Sequence, residues 1–135
     1  MMGSFAHCVR VYVEDTDVGG IVYYANYLKF MERARTEYFR ALGFNKPALF
    51  GRSQLVVRDV SLRYIQPAYL DDQLSVSGSI KKVSFVALEM NQDITRDETL
   101  IARASVKLAC IDVHTKNLLK FPQKMFEGLK SQINK

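Results

Sequence analysis

The chain has 135 residues, 48% hydrophobic and 24% charged, with a formal charge of +5. A chain of that size and composition forms one soluble globular domain, residues 1–135, and buries about two-thirds of its unfolded surface without disulfides or metals. No apolar run approaches the roughly 18 residues of a membrane span, the start lacks the apolar core of a secretory leader, and only Lys81 and Lys82 are adjacent cations, so the tract that marks a nucleic-acid arm is missing.

Residues 5–14, "FAHCVRVYVE", alternate and are rich in valine and aromatics, which predicts a strand. "DTDVGG" follows as a polar, glycine-rich turn. From Tyr27 the period changes: Tyr27, Phe30, Met31, Ala34, Tyr38, Ala41 and Leu42 fall on one face of an amphipathic helix of about 17–20 residues. Its outer side has charges spaced for pairing, Arg33 with Glu37 and Glu32 with Arg35, and Gly43 ends it as the C′ residue. Residues 44–53 read as a loop with a short helical turn. Four strand-like runs come next, at 54–65, 73–83, 84–95 and 99–113, and their short connections favour antiparallel neighbours. Pro122 fits the first position of a short helix carrying Met125, Phe126, Leu129 and Ile133, weakened by Gly128.

One long helix followed by an antiparallel sheet has only that sheet on which to bury its apolar face. The expected architecture is therefore α+β, a curved antiparallel sheet wrapped around one long helix with a short helix at the C-terminus. Open sheet edges and outward Val and Leu positions point to pairing with a second copy. Cys8 and Cys110 lie in strand-like runs too far apart in sequence to suggest a framework, and read as buried, reduced thiols in a cytoplasmic protein. His7 and His114 are isolated, short of the three or four ligands a metal needs.

The stretch "RVYVEDTDVGGIVYYANYLKFMERARTEYFRALG" resembles the signature of hotdog-fold acyl-CoA thioesterases, and most closely the 4-hydroxybenzoyl-CoA thioesterase family in its YbgC-like, Tol-Pal-associated branch. The matching positions are Arg10-Val11, Thr16-Asp17, Gly20-Ile21-Val22, Ala25 and Tyr27, and "YIQPAYLDD" resembles the family's second strand and its turn. The resemblance implies the hotdog fold, which agrees with the element order above. It implies hydrolysis of acyl-CoA to a free acid and CoA, without metal or redox cofactor. Asp17 matches the family's catalytic carboxylate, and the backbone amide of Tyr24 matches the donor that polarises the thioester carbonyl. Gly20, Ile21, Val22, Asn26 and Tyr27 fall where the substrate is expected, with Asn26 also placed to cap the helix. The implied partners are acyl-CoA, a second copy in a homodimer or homotetramer, and acyl carrier protein.

The chemistry of these residue types supports the assignment. A carboxylate beside a thioester carbon attacks it or activates water. Free amides at a helix N-terminus stabilise the developing oxyanion. Asp15 reads as a turn or supporting residue, and Glu14 as the exposed end of a strand. The branch often has His where this chain has Tyr24, in "YYAN", a change that alters the side chain and keeps the amide. Arg10, Arg58, Arg63, Lys81 and Lys82 are candidates for the CoA phosphates. Three alternatives stand beside this reading: a hotdog protein that binds acyl-CoA or acyl carrier protein without turnover, a basic nucleic-acid module lacking any known motif, and a dehydratase lacking its histidine.

Overall fold

The computed structural model describes residues 5–44 and 49–133. Its strands are β1 (Ala6–Arg10), β2 (Leu49–Phe50), β3 (Ser53–Tyr64), β4 (Gln73–Ser77), β5 (Ser79–Val83), β6 (Ala87–Arg96) and β7 (Thr99–Asp112), and its helices are α1 (Asn26–Ala41) and α2 (Gln123–Lys130). The strands form one seven-stranded sheet in the order β1-β4-β6-β7-β3-β2, with β5 paired to β6 and every pairing antiparallel.

Phe30, Met31 and Ala34 of α1 are fully buried, and they share one core with Leu74, Val76, Met90, Ile94 and Ile101 from the sheet. The helix is thus wrapped by the sheet through the stripe its sequence encodes. Its end follows from Gly43, whose φ of +101° is open to glycine without strain. The Gly43 amide donates to the Arg40 carbonyl at 3.0 Å and the Phe44 amide to the Phe39 carbonyl at 3.1 Å, which satisfies the last carbonyls of the helix in a Schellman motif.

Several boundaries differ from expectation. The first strand stops at Arg10, and Val13–Asp15 form a 3-10 turn because the buried Asp15 carboxylate draws the Tyr12 amide to 2.8 Å. The run at 73–83 breaks at Gly78, which packs against Met90 and against Tyr38 of α1 with room for a Cβ in ordinary contact, 3.5 Å from Met90 and 3.6 Å from Tyr38. The run at 84–95 begins at Ala87, since Ser84 turns back to the Ala87 carbonyl. Pro122 precedes α2 by one residue, and Met125 and Leu129 are buried as expected. Within the expected loop, Leu49–Phe50 form β2, and residues 45–48 lie outside the described ones.

Two side chains depart from their expected burial. Cys8 is exposed, because β1 is an edge strand whose core-facing position is Val9, while Cys110 is buried. Arg35 belongs to the inner side of α1 rather than its outer face, one turn after Met31 and one before Phe39, and is buried with its guanidinium donating to Gln92 at 3.0 Å. Glu37 pairs with Arg40 instead of Arg33.

Candidate active site

Asp17 sits at the head of a tight loop. Its amide donates to the Ile21 carbonyl at 3.0 Å, and its carbonyl accepts from the Gly20 amide at 3.2 Å. Closing so few residues into that ring takes two successive positive φ angles, +106° at Gly19 and +77° at Gly20, a conformation strained for any residue with a Cβ. The loop is fastened from outside as well. The Leu70 amide donates to the Gly20 carbonyl and the Val22 amide to the Ala68 carbonyl, each at 2.9 Å. The Asp17 backbone is therefore held on both sides, while its carboxylate is exposed and has no hydrogen-bond partner among the described residues.

Asp15, two residues earlier, has the opposite environment. It is buried, and its second carboxylate oxygen accepts from the Asn26 side-chain amide at 2.8 Å. Its carbonyl also accepts from the Tyr23 amide at 3.0 Å. Asp15 thus ties the turn before Asp17 to the first turn of α1. The Asn26 side chain is committed to that tie and does not cap the helix, whose N-cap position is Ala25.

The helix start presents free donors. The Tyr23 carbonyl accepts from the Asn26 amide at 2.8 Å. In a trans peptide the N–H points opposite to the C=O, so the Tyr24 amide points away from the helix toward the preceding loop. Among the described residues neither the Tyr24 nor the Ala25 amide has an acceptor. These are the unpaired N–H groups of a helix N-terminus, at the positive end of its dipole. The Tyr24 carbonyl accepts from the Tyr64 hydroxyl at 3.1 Å, which fixes the next peptide plane from the end of β3.

Aromatic rings surround these amides. Tyr24 lies 4.9 Å from Tyr23 and 6.2 Å from Tyr64 between ring centroids, and Tyr27 lies 5.5 Å from Tyr64. The phenols of Tyr23, Tyr27 and Tyr64 stay neutral near pH 7. The Tyr23 hydroxyl is pushed above the usual tyrosine range by the neighbouring Tyr24 hydroxyl first, then by burial and the Asp17 carboxylate. Tyr27 and Tyr64 are pushed up chiefly by burial.

The other residues singled out in the sequence divide in two. Gly20 and Ile21 lie on the accessible loop beside Asp17. Val22, Asn26 and Tyr27 are buried beneath it, and the Tyr27 hydroxyl accepts from the Ala68 amide at 3.1 Å. Of the basic candidates, Arg10 is engaged by the Asp71 carbonyl and Gln73. Lys81 and Lys82 instead line a cavity of about 480 Å³ with Lys107, floored by Val83, Ala87, Leu88 and Ile133. Close to it Phe85 stacks on Phe126 at 5.0 Å, with Lys120 over one ring and Lys130 over the other. These five lysines are joined there by two carboxylates, Glu89 and Glu127, so most of the chain's surplus positive charge gathers at this end. Lys107, Lys120 and Lys130 are distant from Lys81 in sequence, and only the folded chain brings them together.

Residues 11–129 match the Thioesterase-like superfamily. The chain is 41% identical over 124 residues to the acyl-CoA thioesterase YbgC of Haemophilus influenzae, covering 90% of this chain and 91% of that protein. It is 44% identical over 106 residues to the acyl-CoA thioester hydrolase YbgC of Escherichia coli O6:H1, covering 77% and 79%. Among solved structures, a probable thioesterase from Bartonella henselae is similar with a TM-score of 0.83 at 32% identity, over 89% of this chain and all of that one.

Proposed function

The chain belongs to the thioesterase-like superfamily and to its YbgC-like branch, and on that premise we propose that it is a cytoplasmic acyl-CoA thioester hydrolase in which Asp17 is the reacting carboxylate and the Tyr24 amide the oxyanion donor. The observation that carries these roles is the pairing of an unengaged carboxylate, on a fixed backbone, with unpaired helix N-terminal amides tied to the same turn. Two routes use these groups. Asp17 attacks the thioester carbon, the C–S bond breaks to release CoA thiolate, and water cleaves the resulting mixed anhydride. Alternatively Asp17 takes a proton from water, which attacks directly. In both, negative charge grows on the carbonyl oxygen, where the Tyr24 N–H and the helix dipole oppose it. Gly20 and Ile21 flank the thioester, and Val22, Asn26 and Tyr27 support the loop from beneath.

The site is completed by a second copy. Along β3, Tyr64 marks the end near Tyr24, and the lysine-rich cavity lies level with the middle of the strand, where Asp59 is paired with Lys107. Among the described residues only Ser53 and Gln54 of β3 are paired on the side away from β7, and Val57, Val60 and Tyr64 are exposed. Two such edges joined antiparallel reverse the second copy and set the first half of its β3 beside the half of this copy's strand that ends at Tyr64. The protein should sediment as a dimer or dimer of dimers. Replacing Lys82 and Lys107 by Ala should raise KM for acyl-CoA several-fold with little change in kcat, and the gap should shrink as salt screens the phosphates. An active monomer at micromolar concentration would contradict the shared site.

The reading as a whole is tested by thiol release from a panel of short, long and aromatic acyl-CoAs. Turnover of at least one is expected. Tight binding of acyl-CoA, or of acyl carrier protein, without release of thiol would establish the non-catalytic alternative instead.

A further inference from the structure

A cavity of about 280 Å³ opens between the middle of α1 and the first half of β3, lined by Glu32, Arg35, Thr36, Phe39, Leu55–Val57 and Leu108. Phe39 and Leu108 are buried and apolar, as the wall of an acyl pocket requires. Arg35 breaks that pattern, being a cation only 8% exposed on the buried face of α1.

Its partners do not neutralise it. Gln92 is fully buried and spends its own amide on the Met31 and Ser77 carbonyls, leaving its oxygen to accept one N–H of Arg35. Among the described residues Arg35 has no ion pair; Glu32 lines the same cavity, acting on it only at longer range. A guanidinium carries five N–H groups in a fixed fork. No buried side-chain nitrogen or oxygen among the described residues lacks a partner, so the N–H groups that Gln92 does not take reach outward, and the outlet is the cavity that Arg35 lines.

We propose that Arg35 is a specificity-determining residue of the acyl pocket: it selects acyl groups whose chain carries a hydroxyl over purely alkyl chains of equal length. The inference rests on the reading of the chain as an acyl-CoA hydrolase. Under the antiparallel pairing of β3, Leu55–Val57 of one copy face the half of the second copy's strand that ends at Tyr64. The cavity therefore receives the acyl group of the thioester held at the second copy's Tyr24. A hydroxyl oxygen accepts from Arg35, and its proton is offered to the Glu32 carboxylate or the Thr36 hydroxyl. A methyl group at the same place strips water from a cation and returns nothing. A carboxylate meets Glu32 and loses what it gains from Arg35.

The test uses isosteric CoA thioesters that differ by hydroxyl against methyl: ω-hydroxybutyryl and valeryl, ω-hydroxyhexanoyl and heptanoyl, ω-hydroxyoctanoyl and nonanoyl. For the wild-type protein kcat/KM should favour the hydroxyl member by at least about tenfold at one of these lengths, and Arg35→Met should abolish or invert that ratio. A purely structural Arg35 would lower both members alike and leave the ratio unchanged, and that result overturns the proposal. So do equal rates for both members at every length, which the wild-type protein reveals even if Arg35→Met does not fold. Absence of thiol release from every acyl-CoA would defeat the hydrolase reading itself, a different outcome from an unselective hydrolase.

Discussion

Replacing Asp17 by Asn lowers kcat by at least about 100-fold, the lower range for loss of a general base, and leaves thermal stability near that of the wild type. The two halves of this expectation have separate causes. An amide oxygen neither takes a proton from water nor attacks a thioester at a useful rate, so chemistry stops whichever route operates. The loop keeps its shape because its bonds run through the backbone, from the Asp17 amide to Ile21 and from Gly20 to the Asp17 carbonyl, and Asn keeps both. Asp15→Asn is the informative contrast. Its carboxylate accepts from the Tyr12 amide and the Asn26 side chain with separate oxygens, and an amide in its place sets one donor against another. That costs about 1–3 kcal/mol of stability and lowers the melting temperature, with a smaller loss of turnover. Thiol release and thermal melts on the two variants separate the cases. A folded D17N protein with near-native turnover would remove Asp17 from the reaction.

Tyr24 carries the second large effect, and it separates backbone from side chain. Tyr24→Pro deletes the N–H and should lower kcat by about 10²- to 10³-fold, the loss associated with one oxyanion donor. Tyr24→Phe keeps the N–H and the ring and should retain most activity. The fold is expected to tolerate Pro here, because the residue precedes the helix and its amide has no acceptor among the described residues to lose. Circular dichroism checks that point before the rates are compared. Tyr24 is 62% exposed, which argues against a packing role for it in one copy. Tyr24→His, the residue more usual in this branch, should change the kcat/KM ratio between short aliphatic and aromatic acyl-CoAs if the side chain touches the acyl group. A folded Pro variant with full activity would place the oxyanion elsewhere, and a Phe variant as damaged as the Pro variant would move the role to the hydroxyl.

The path from Asp17 to the helix start is legible in the sequence because it is local. Two glycines, a polar turn and a change of period from two to 3.6 residues fall within a short stretch, and each has one physical meaning. The helix stripe and the order of elements along the chain are legible for the same reason, whereas the order of strands in the sheet is not: β3 and β4, expected as neighbours from their short connection, pair with β7 and β2 and with β1 and β6 instead. What escapes is what only tertiary structure brings together. Tyr64 reaches the Tyr24 carbonyl across 40 residues of chain, and nothing beside it in the sequence marks that role. The break of a long strand at Gly78, beside Tyr38 and Met90, falls where residues from other elements pack. Cys8 shows how alternation gives two faces without saying which is inward on an edge strand. Arg35 is different, since its signal was present: it follows Met31 by four residues on the apolar stripe. Residue type suggested an outer ion pair, and periodicity, the better guide, placed it inside.

The tie between Asp15 and Asn26 has a consequence for how such a protein diversifies. The proposed reacting carboxylate, the amide donors and the brace that aligns them are all encoded in one unbroken segment of 12 residues, Asp15 to Asn26. Apart from the Tyr24 side chain, the groups proposed to choose among acyl chains and to hold the nucleotide lie outside it, at Glu32 to Phe39, at Leu55 to Val57 and among the lysines of the C-terminal half. Mutations at those positions that retune the acyl group or the grip on the nucleotide therefore leave the reactive segment intact. Selectivity can drift freely in descendants of one gene, while the bond-breaking step is inherited as a block.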